Sequence, residues 1–424
     1  MTRPLSSTSS GAPDIAAESG WVVGRALAAL RGIRTGCVEL VLPSGRRHAF
    51  GDLSSSLRAT VRVHRNSLFR RVLTDGEIGL GEAYVDGDWD CADLPQLLRI
   101  FHENAAVFDS KISAGSRLMT WMNRLRHRLR RNTIAGSRAN IREHYDLGND
   151  LFELMLDPTM SYSCALFRSP GQTLEEAQRE KLAALIDKAR LSQNHHLLDL
   201  GCGWGGLAVE AATRTGCQVT GVTLSERQLE FARRRASEMQ LADRVRFELA
   251  DYRDLEGRFD RIISVEMIEA VGHEYLGRFF AACDRLLAPD GLFVLQAITF
   301  PDQRYEAFRR GIDWLRTYIF PGSNTPSLTA LCEAMTSSSR FVVDSLSNIA
   351  DHYVPTLRHW RENITLGAER LEELGYDARF RRLWTYYLSY CEAGFAARTF
   401  GDLQLVLTRP NSRSPCNPDL GLAR

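Results

Sequence analysis

Residues 199–206 read Asp199-Leu200-Gly201-Cys202-Gly203-Trp204-Gly205-Gly206. The stretch follows the apolar pair Leu197-Leu198 and precedes a run from Leu207 that suits a helix. A glycine-rich turn between a strand and a helix is the context that a nucleotide-binding turn requires. Its glycines let the backbone approach a ligand without a Cβ atom in the way, and the exposed amides at the helix start favour a negative group. The stretch therefore predicts a nucleotide-type ligand held at the edge of a sheet.

Two features near the turn argue against a dinucleotide. A dinucleotide-binding turn usually reads GxGxxG and is followed by an acidic residue at the end of the second strand, whereas this chain has GxGxGG and Thr223. Asp251 and Tyr252 follow the third predicted strand, where the carboxylate can accept from an adenine amino group and the ring can flank the base. In the alternative interpretation, Asp251 only caps the turn before Arg253.

From His144 onward, segments that suit strands alternate with segments that suit helices. Such alternation predicts an α/β fold with a parallel sheet and helices on both faces. The predicted strands are His196–Leu200, Gln218–Thr223, Val245–Leu249, Arg261–Val265 and Gly291–Ala297, and the predicted helices include Glu226–Met239 and Leu276–Leu287. We expect Pro289-Asp290-Gly291 to form a turn that begins the last of these strands.

The region from Val22 to Phe108 predicts a smaller α+β domain. Val38–Leu42 and Ala59–Val63 carry the alternation and β-branched residues of strands. Glycine-containing turns are predicted at Asp75-Gly76, at 79–81 and at 86–88.

A basic segment separates the two regions. Residues 117–142 hold eight arginines and no acidic residue, and Trp121 and several leucines and methionines lie among or before them. Interleaved apolar and basic residues suit a helix that lies on an anionic lipid surface, and a solvated linker helix is the open alternative. The domain prediction is a disordered tail (1–20), an α+β domain (21–112), a basic linker or interfacial helix (113–142), a catalytic domain (143–410) and a second tail (411–424).

The composition is that of an ordinary globular protein. The chain has 424 residues, 44% of them hydrophobic and 25% charged, with a formal net charge of +1. No apolar run approaches the roughly 20 residues needed to span a bilayer, and the nine cysteines form no CxxC pair, so neither a metal site nor a disulfide framework is predicted.

With these motifs the chain resembles the cyclopropane-fatty-acyl-phospholipid synthase family, which includes the mycolic-acid cyclopropane synthases. The resemblance runs from near Leu53 to about Arg409 and includes the amino-terminal region of the phospholipid-acting branch. The segments that carry it are His144–Asp150 (HYDLGND), Met160–Ala165 (MSYSCA), Leu198–Gly206, Gly221–Ser225, Asp251–Asp254, Glu266–Gly272, Tyr318–Gly322 and Thr385–Leu388.

The resemblance implies a Rossmann-like class I methyltransferase domain with a smaller lipid-associated α+β domain. It implies transfer of a methylene unit from S-adenosylmethionine to the cis double bond of an unsaturated phospholipid acyl chain, through a carbocation that a bound bicarbonate deprotonates. The protein must then hold the alkene in line with the methyl group and keep water away. The implied cofactor-binding residues are Tyr162, Ser163, Asp199, Gly201, Gly203, Gly205, Thr223, Gln228, Asp251 and Tyr252.

The same resemblance assigns the bicarbonate to Cys164, Glu269, Tyr353 and the backbone of Ile298. Apolar neighbours favour a buried role for Glu269 over a surface carboxylate, and the alternative for Tyr353 is a half-buried loop aromatic. The family pattern has a histidine at the position of Gln296, so this residue is added to the candidate catalytic set. Glutamine can donate and accept a hydrogen bond but cannot carry a proton near neutral pH as histidine can, which leaves the details of deprotonation open.

Several alternatives remain at this point. A methylene- or methyl-branched product, a small-molecule methyltransferase and an inactive lipid-binding protein compete with the cyclopropane assignment. A lipid substrate predicts an apolar tunnel, for which residues 305–320 (with Phe308, Trp314, Leu315 and Tyr318) and residues 384–395 are candidate walls, with core packing as the alternative; Cys391 is interpreted as a core thiol. The expected partners are a phospholipid membrane and a second copy of the chain in a homodimer, with no nucleic acid, and the expected location is cytoplasmic at the inner membrane face.

Overall fold

The main sheet of the protein is seven-stranded and mostly parallel. A computed structural model describes residues 20–106 and 148–412. The sheet order is β10-β11-β9-β8-β5-β6-β7, in which β5 to β9 run parallel and β11 and β10 are added antiparallel at one edge. Its strands are β5 (His196–Leu200), β6 (Gln218–Thr223), β7 (Val245–Leu249), β8 (Phe259–Val265), β9 (Leu287–Thr299), β10 (Val342–Asn348) and β11 (Gly401–Thr408).

Helices cover this sheet because its central strands are apolar on both faces, which is typical of buried parallel strands. The helices of this part of the chain are α4 (Asn149–Met155), α5 (Leu174–Lys188), α6 (Gly206–Thr215), α7 (Glu226–Glu238), α8 (Leu276–Leu286), α9 (Asp302–Arg310), α10 (Trp314–Tyr318), α11 (Leu328–Ser338), α12 (Tyr353–Leu366), α13 (Ala368–Glu373) and α14 (Ala378–Ala396). Short 3₁₀ turns lie at Ile268–Ala270, His273–Tyr275 and Ala350–His352. The start of α5 carries a capping box, in which Thr173 and Glu176 each satisfy a backbone N–H of the other.

The predicted strands of this sheet are confirmed, and β9 shows one difference. Phe259 pairs with Leu287 and Arg261 pairs with Leu292, so residues 288–291 bulge out of the ladder. The predicted Pro-Asp-Gly turn therefore lies within the range of β9 rather than before it. The two predicted helices match α7 and α8 to within one residue.

The amino-terminal domain has a four-stranded sheet in the order β2-β1-β3-β4. Its elements are α1 (Trp21–Leu30), β1 (Cys37–Val41), β2 (Arg47–Gly51), β3 (Arg58–Val63), α2 (Ser67–Val85), β4 (Trp89–Cys91) and α3 (Leu94–Glu103). Buried and exposed residues alternate along β3, so one face of the sheet packs on the helices and the other faces solvent. The predicted α+β domain is confirmed.

The turn predicted at 79–81 is wrong, because this segment lies inside α2. The turn predicted at Asp75-Gly76 agrees with the structure, since the backbone of Gly76 is not helical, with a φ of 59°, and divides α2 into two helical segments. Gly81 serves close packing instead of a turn, since a Cβ atom there would lie 2.3 Å from Nε1 of Trp314. The amino-terminal domain thus packs directly on α10.

The two regions share one hydrophobic core, which contains residues of α1 to α3 and residues of α12 and α14. Arg382 of α14 reinforces the contact by donating to the carbonyls of Tyr84 (2.6 Å) and Trp89 (2.9 Å). The predicted fold class, a Rossmann-like α/β domain with a smaller α+β domain, is confirmed. The tail at 1–19, the basic segment at 113–142 and residues 413–424 lie outside the described residues.

Candidate active site

The glycine-rich turn lies where the strand order of the main sheet reverses. β5 ends at Leu200, the turn follows, and α6 begins at Gly206, while β8 lies on the other side of β5. In open α/β sheets, ligands bind outside the carboxyl ends of the strands at this point. A cavity of about 190 Å³ lies there, between the turn, the end of β6 and the segment after β7.

The structure brings most of the predicted cofactor residues to this cavity. Those that line it are Tyr162, Ser163, Asp199, Gly201, Gly203, Thr223, Gln228, Asp251 and Tyr252. At the end of β6 the Thr223 hydroxyl donates to Oε1 of Gln228 (2.7 Å), which couples the strand to the first turn of α7. Direct contact of these side chains with a cofactor stays a prediction.

Gly205 is the exception, because it does not line the cavity. It precedes α6 with a φ of 82°, and a Cβ atom at this position would lie 2.7 Å from the Phe247 ring and 3.1 Å from Ala232. Left-handed backbone and close packing therefore explain this glycine. We assign it to the turn and not to the cofactor surface.

Asp199 presents a buried carboxylate to the cavity. Its Oδ2 has no hydrogen-bond partner among the described residues, and burial raises its pKa to about 7. A buried carboxylate oxygen without a partner is costly in a folded protein, so a donor from a bound molecule fits this position. With the open space over Gly203, these residues fit a nucleoside-containing cosubstrate.

Asp251 caps the turn before Arg253, which was the alternative interpretation of its role. Its Oδ1 accepts from the backbone N–H (3.0 Å) and Nε (2.8 Å) of Arg253, and its Oδ2 accepts from Nη2 (2.6 Å). The residue nevertheless lines the cavity, and a carboxylate has about four acceptor sites. The cap is thus present, and the adenine contact stays a prediction.

A second and larger cavity of about 920 Å³ lies between the two domains. Apolar and aromatic residues from the amino-terminal domain line one end of it, including Val38, Leu40, Val61, Leu68 and Leu97. The other end is lined by residues of the catalytic domain, among them Phe308, Leu315, Phe320, Tyr387 and Phe395.

Both candidate tunnel walls contribute to this cavity, though not through every residue named. Trp314 does not line it, because it is fully buried beside Gly81. Tyr318 does not line it either and is 40% exposed. Cys391 lines the cavity, and burial raises its pKa, so its thiol stays protonated.

The two cavities meet at three residues that line both, namely Tyr162, Glu266 and Ala270. The Tyr162 hydroxyl lies 2.6 Å from that of Tyr387. A group carried from the smaller cavity into the larger one must pass this junction. The side chains that surround this junction therefore determine which reaction the site can support.

Glu266 is the residue at this junction that sequence analysis missed. Its Oε1 accepts from the backbone N–H of Cys164 (2.9 Å) and from Nε2 of Gln296 (2.7 Å), and its Oε2 accepts from the Tyr353 hydroxyl (2.5 Å). The residue directly follows β8, and its φ of 48° is rare for a residue with a side chain. Its position at the carboxyl end of a central strand was the signal available in the sequence.

Glu269 lies beside this cluster but has different partners. Its Oε1 accepts from the backbone N–H of Ile298 (2.5 Å), while its Oε2 has no hydrogen-bond partner in the described part of the chain. Burial, and then the charge of Glu266, raises its pKa to about 8. The buried role predicted for Glu269 agrees with this geometry, but Cys164 and Tyr353 contact Glu266 instead.

Two further buried ionisable groups complete the cluster, and both were missed. Asp402 of β11 accepts from Nε2 of Gln296 (3.2 Å), and burial raises its pKa well above the usual range. Lys181 of α5 is 1% exposed and donates to the Ser163 hydroxyl (2.8 Å). Its helical spacing from the buried Ala177 and Leu185 was the signal for burial.

Several known proteins are similar to this chain over most of its length. A profile of the mycolic acid cyclopropane synthetase family matches residues 133–405. A tuberculostearic acid methyltransferase of Mycobacterium tuberculosis is 38% identical over 359 residues, which cover 82% of each chain. The cyclopropane-fatty-acyl-phospholipid synthase of Escherichia coli is 38% identical over 365 residues, 84% of this chain and 90% of that one.

This chain belongs to the mycolic acid cyclopropane synthetase family. A mycolic acid cyclopropane synthase solved with SAH and CTAB is 30% identical and has a TM-score of 0.59 to this chain, covering 64% of this chain and 98% of that one. As a member of the family, the chain is an S-adenosylmethionine-dependent methyltransferase. The smaller cavity, which we call the cofactor cavity, is the predicted binding site of S-adenosylmethionine.

The residues of the predicted bicarbonate shell already have hydrogen-bond partners within the chain. The predicted residues Cys164, Tyr353 and Ile298 do lie close together, but their donors point to two carboxylates of the chain. The Cys164 thiol is fully buried and its pKa is raised by burial, so the residue contributes its backbone amide.

Proposed function

We propose that this enzyme transfers a one-carbon unit from S-adenosylmethionine to the cis double bond of an unsaturated acyl chain, forming a cyclopropane ring. The observation that carries the proposal is the apolar cavity of about 920 Å³, which reaches Glu266 and meets the cofactor cavity there. Cavities that bind small ligands hold about 300–1,000 Å³. An acyl chain is an elongated apolar molecule whose double bond would lie at the junction.

The residues around the junction suit the chemistry of an alkene. An alkene is a weak nucleophile, and its methylation places a positive charge on the acyl chain. The rings of Tyr162, Tyr353 and Phe395 line the cavity, and aromatic faces attract a nearby cation. Their apolar surroundings exclude the water that would otherwise capture it.

The extent of the similarity favours a phospholipid as the acyl carrier. The Escherichia coli relative, named a fatty-acyl-phospholipid synthase, matches 84% of this chain, whereas a cyclopropane mycolic acid synthase of Mycobacterium tuberculosis matches 61% of it. The 84% match is longer than the part of the chain that follows the amino-terminal domain, so it reaches into this domain, whose side chains line one end of the acyl cavity. A small soluble substrate would not need this domain.

A second candidate product is a methylene- or methyl-branched acyl chain. The tuberculostearic acid methyltransferase is as similar to this chain, at 38% identity, as the phospholipid synthase is. Gln296 favours this candidate at the residue level, because it is fully buried beside Glu266 and cannot carry a proton. Loss of a different proton from the cation would then give a branched product.

The proposal is tested with purified enzyme, S-adenosylmethionine and vesicles of an unsaturated phospholipid. Gas chromatography with mass spectrometry of the fatty acid methyl esters should show a mass gain of one CH₂ unit. The product should also have the retention time of a cyclopropane fatty acid methyl ester. A branched product supports the second candidate, and vesicles of a saturated phospholipid serve as the control. No mass gain with any unsaturated phospholipid would contradict the lipid assignment and favour a small-molecule substrate.

We further expect the enzyme to bind the inner face of a membrane as a peripheral homodimer. Among the helices of residues 20–106 and 148–412, none is long and apolar enough to cross a bilayer. The basic segment at 113–142 remains the predicted contact with anionic lipid. Co-sedimentation with anionic vesicles at low and high salt tests the membrane contact, and light scattering tests the dimer.

A further inference from the structure

We propose that the carboxylate of Glu266 is the built-in base of this enzyme and takes the place of a bound bicarbonate. The inference rests on the proposed function and concerns the step that follows methyl transfer. Three observations carry it, namely the donors that surround Glu266, the charges around it, and its position between the two cavities.

The donors expected around a bicarbonate converge on Glu266. The Cys164 amide and the Tyr353 hydroxyl, both predicted to hold the anion, donate to its two oxygens, and Gln296 adds a third hydrogen bond. The remaining predicted donor, the amide of Ile298, is occupied by Glu269. The residues present therefore do not fit a separate bicarbonate, because each predicted donor already serves a carboxylate of the chain.

The charges of the cluster argue against a further anion as well. The titratable groups that face Glu266 are Cys164, Lys181, Glu269, Tyr353 and Asp402. Three of them and Glu266 itself are carboxyl or thiol groups, and Lys181 is the buried cation that acts on it. A bicarbonate would place a further negative charge beside Glu266, and like charges at close range disfavour ionisation of both groups.

Among the three carboxyl groups, Glu266 is the one built to be ionised. Burial raises the pKa of each, but Glu266 accepts three hydrogen bonds and is stabilised by the Lys181 charge. Asp402 has its pKa raised further by the charge of Glu266, and that of Glu269 lies at about 8. Hydrogen bonds to the charged form favour ionisation, so Glu266 is the carboxyl group of the three whose contacts most favour the charged form.

The position of Glu266 suits a base that removes a proton from a newly attached methyl group. It lines both the cofactor cavity and the acyl cavity, and its left-handed backbone is fixed by its N–H donating to the carbonyl of Gln296 (2.9 Å). Strained backbone is retained where the surrounding structure enforces it, and it is concentrated at active sites.

S-adenosylmethionine supplies the methyl group, since the C–S bond breaks with its electron pair left on sulfur and the alkene π pair forms the new C–C bond. An oxygen of Glu266 then takes a proton from that methyl carbon, and the released C–H pair closes the ring onto the cationic carbon. Glu266 is left protonated, and the proton passes to solvent before the next turnover.

The test compares wild-type enzyme with Glu266→Gly and Glu266→Gln in bicarbonate-free buffer. The wild type should keep its full rate without bicarbonate. Both variants should lose about 10²–10⁴-fold in kcat, the usual contribution of a general base. Added bicarbonate should restore part of the rate of Glu266→Gly, whose backbone is compatible with a φ of 48°, but not that of Glu266→Gln, whose amide fills the position.

Two readouts other than rate accompany this test. Calorimetric affinity for S-adenosylhomocysteine should be unchanged in both variants, which shows that the cofactor cavity is intact. With trideuteromethyl-labelled cosubstrate, residual products of Glu266→Gln should be hydroxylated or olefinic chains that keep all three deuterons. The exposed Glu369 provides a matched control, since Glu369→Gln should leave rate and products unchanged.

A third arm uses Lys181→Met and a pH–rate profile. Because the rate requires ionised Glu266, it should rise with pH through the pKa of that group. Removing the Lys181 charge, which lowers that pKa, should move the rise to higher pH. An unshifted profile in a variant with normal cofactor affinity would show that Lys181 has only a structural role beside Glu266 and would count against the ionised base.

The proposal is overturned if removal of bicarbonate inactivates the wild type, or if Glu266→Gly keeps its rate without the anion. It is also overturned if Glu266→Gly binds the cofactor normally but bicarbonate restores nothing. Failure of the proposed function looks different, because the wild type would then give no lipid product under any condition.

Discussion

At the scale of single residues, the ionisation of Asp199 should make both the stability of the protein and ligand binding at the glycine-rich turn depend on pH. Its pKa of about 7 lies above the ordinary 3.8 because the group is buried. Between these values the folded protein binds a proton that the unfolded chain does not, so Asp199 makes the ligand-free protein less stable as the pH rises. Binding of a cationic cosubstrate opposes this effect by favouring the ionised carboxylate.

We therefore expect the affinity for S-adenosylmethionine to rise several-fold from pH 6 to pH 8, because the fraction of ionised Asp199 rises through its pKa of about 7. Isothermal titration calorimetry at intermediate pH values measures the effect. Asp199→Asn should bind weakly and lose most of the pH dependence, while Asp243→Asn, at an exposed position, should behave as the wild type. An equal pH slope in Asp199→Asn would exclude Asp199 as its source.

The position of Glu266 at the centre of the buried cluster could not be predicted from residue types alone. The resemblance assigned Glu269, within the segment Glu266–Gly272, to the bicarbonate, and its apolar neighbours favoured a buried role for it. The choice between Glu266 and Glu269 depends on which way each side chain points, and that is set by a φ of 48° at Glu266. No pattern of residue types reports a left-handed glutamate, since the conformation is imposed by the surrounding structure.

At the scale of elements, the glycine-rich turn combines two separate demands. Gly201 and Gly203 line the cofactor cavity, whereas Gly205 begins α6 and packs under Phe247 of β7. The turn was predictable from the sequence, because strand, glycines and helix follow one another in the chain. The separate roles of its glycines could not be predicted, because Phe247, which packs against Gly205, is distant in sequence.

We expect Gly205→Ala to cost about 1–3 kcal/mol more than Gly375→Ala, because only the former adds overpacking to backbone strain. Both glycines have similar φ values, 82° and 89°, but a Cβ atom at Gly375 would meet nothing within 4 Å. Urea unfolding of the two variants measures the difference in the free energy of unfolding. Equal losses would mean that Phe247 moves aside without cost.

At the scale of the whole molecule, the proposed acyl cavity is lined by residues of both domains. Its far end is lined by side chains of α2, α3 and the smaller sheet, and its near end by Glu266 and Tyr353. Under the proposed function, the amino-terminal domain would extend the substrate site. The length of this cavity would then limit the length of the acyl chain that the enzyme accepts.

We expect Val72→Trp, a change in the wall of the cavity on α2, to shift the preference toward shorter acyl chains. The ratio of kcat/KM for long over short chains should fall about tenfold, equivalent to ~1.4 kcal/mol. Competition assays with vesicles of mixed chain length measure this ratio. Val342→Trp, at a position that is 41% exposed on β10, is the matched control, and a shift of the same size in both variants would refute the assignment.

The sequence by itself determined the α/β fold, the five parallel strands of its main sheet to within a few residues, the cofactor turn and the family. These features are local, because alternating apolar segments and a glycine-rich turn specify themselves within short stretches of chain. Only the tertiary structure decided that Gly205 packs on β7, that the cavity spans two domains, and that Glu266 receives the hydrogen bonds of Cys164, Gln296 and Tyr353. Those outcomes join residues from about 30 to more than 300 positions apart, and their geometry follows from packing and from the pairing of buried polar groups.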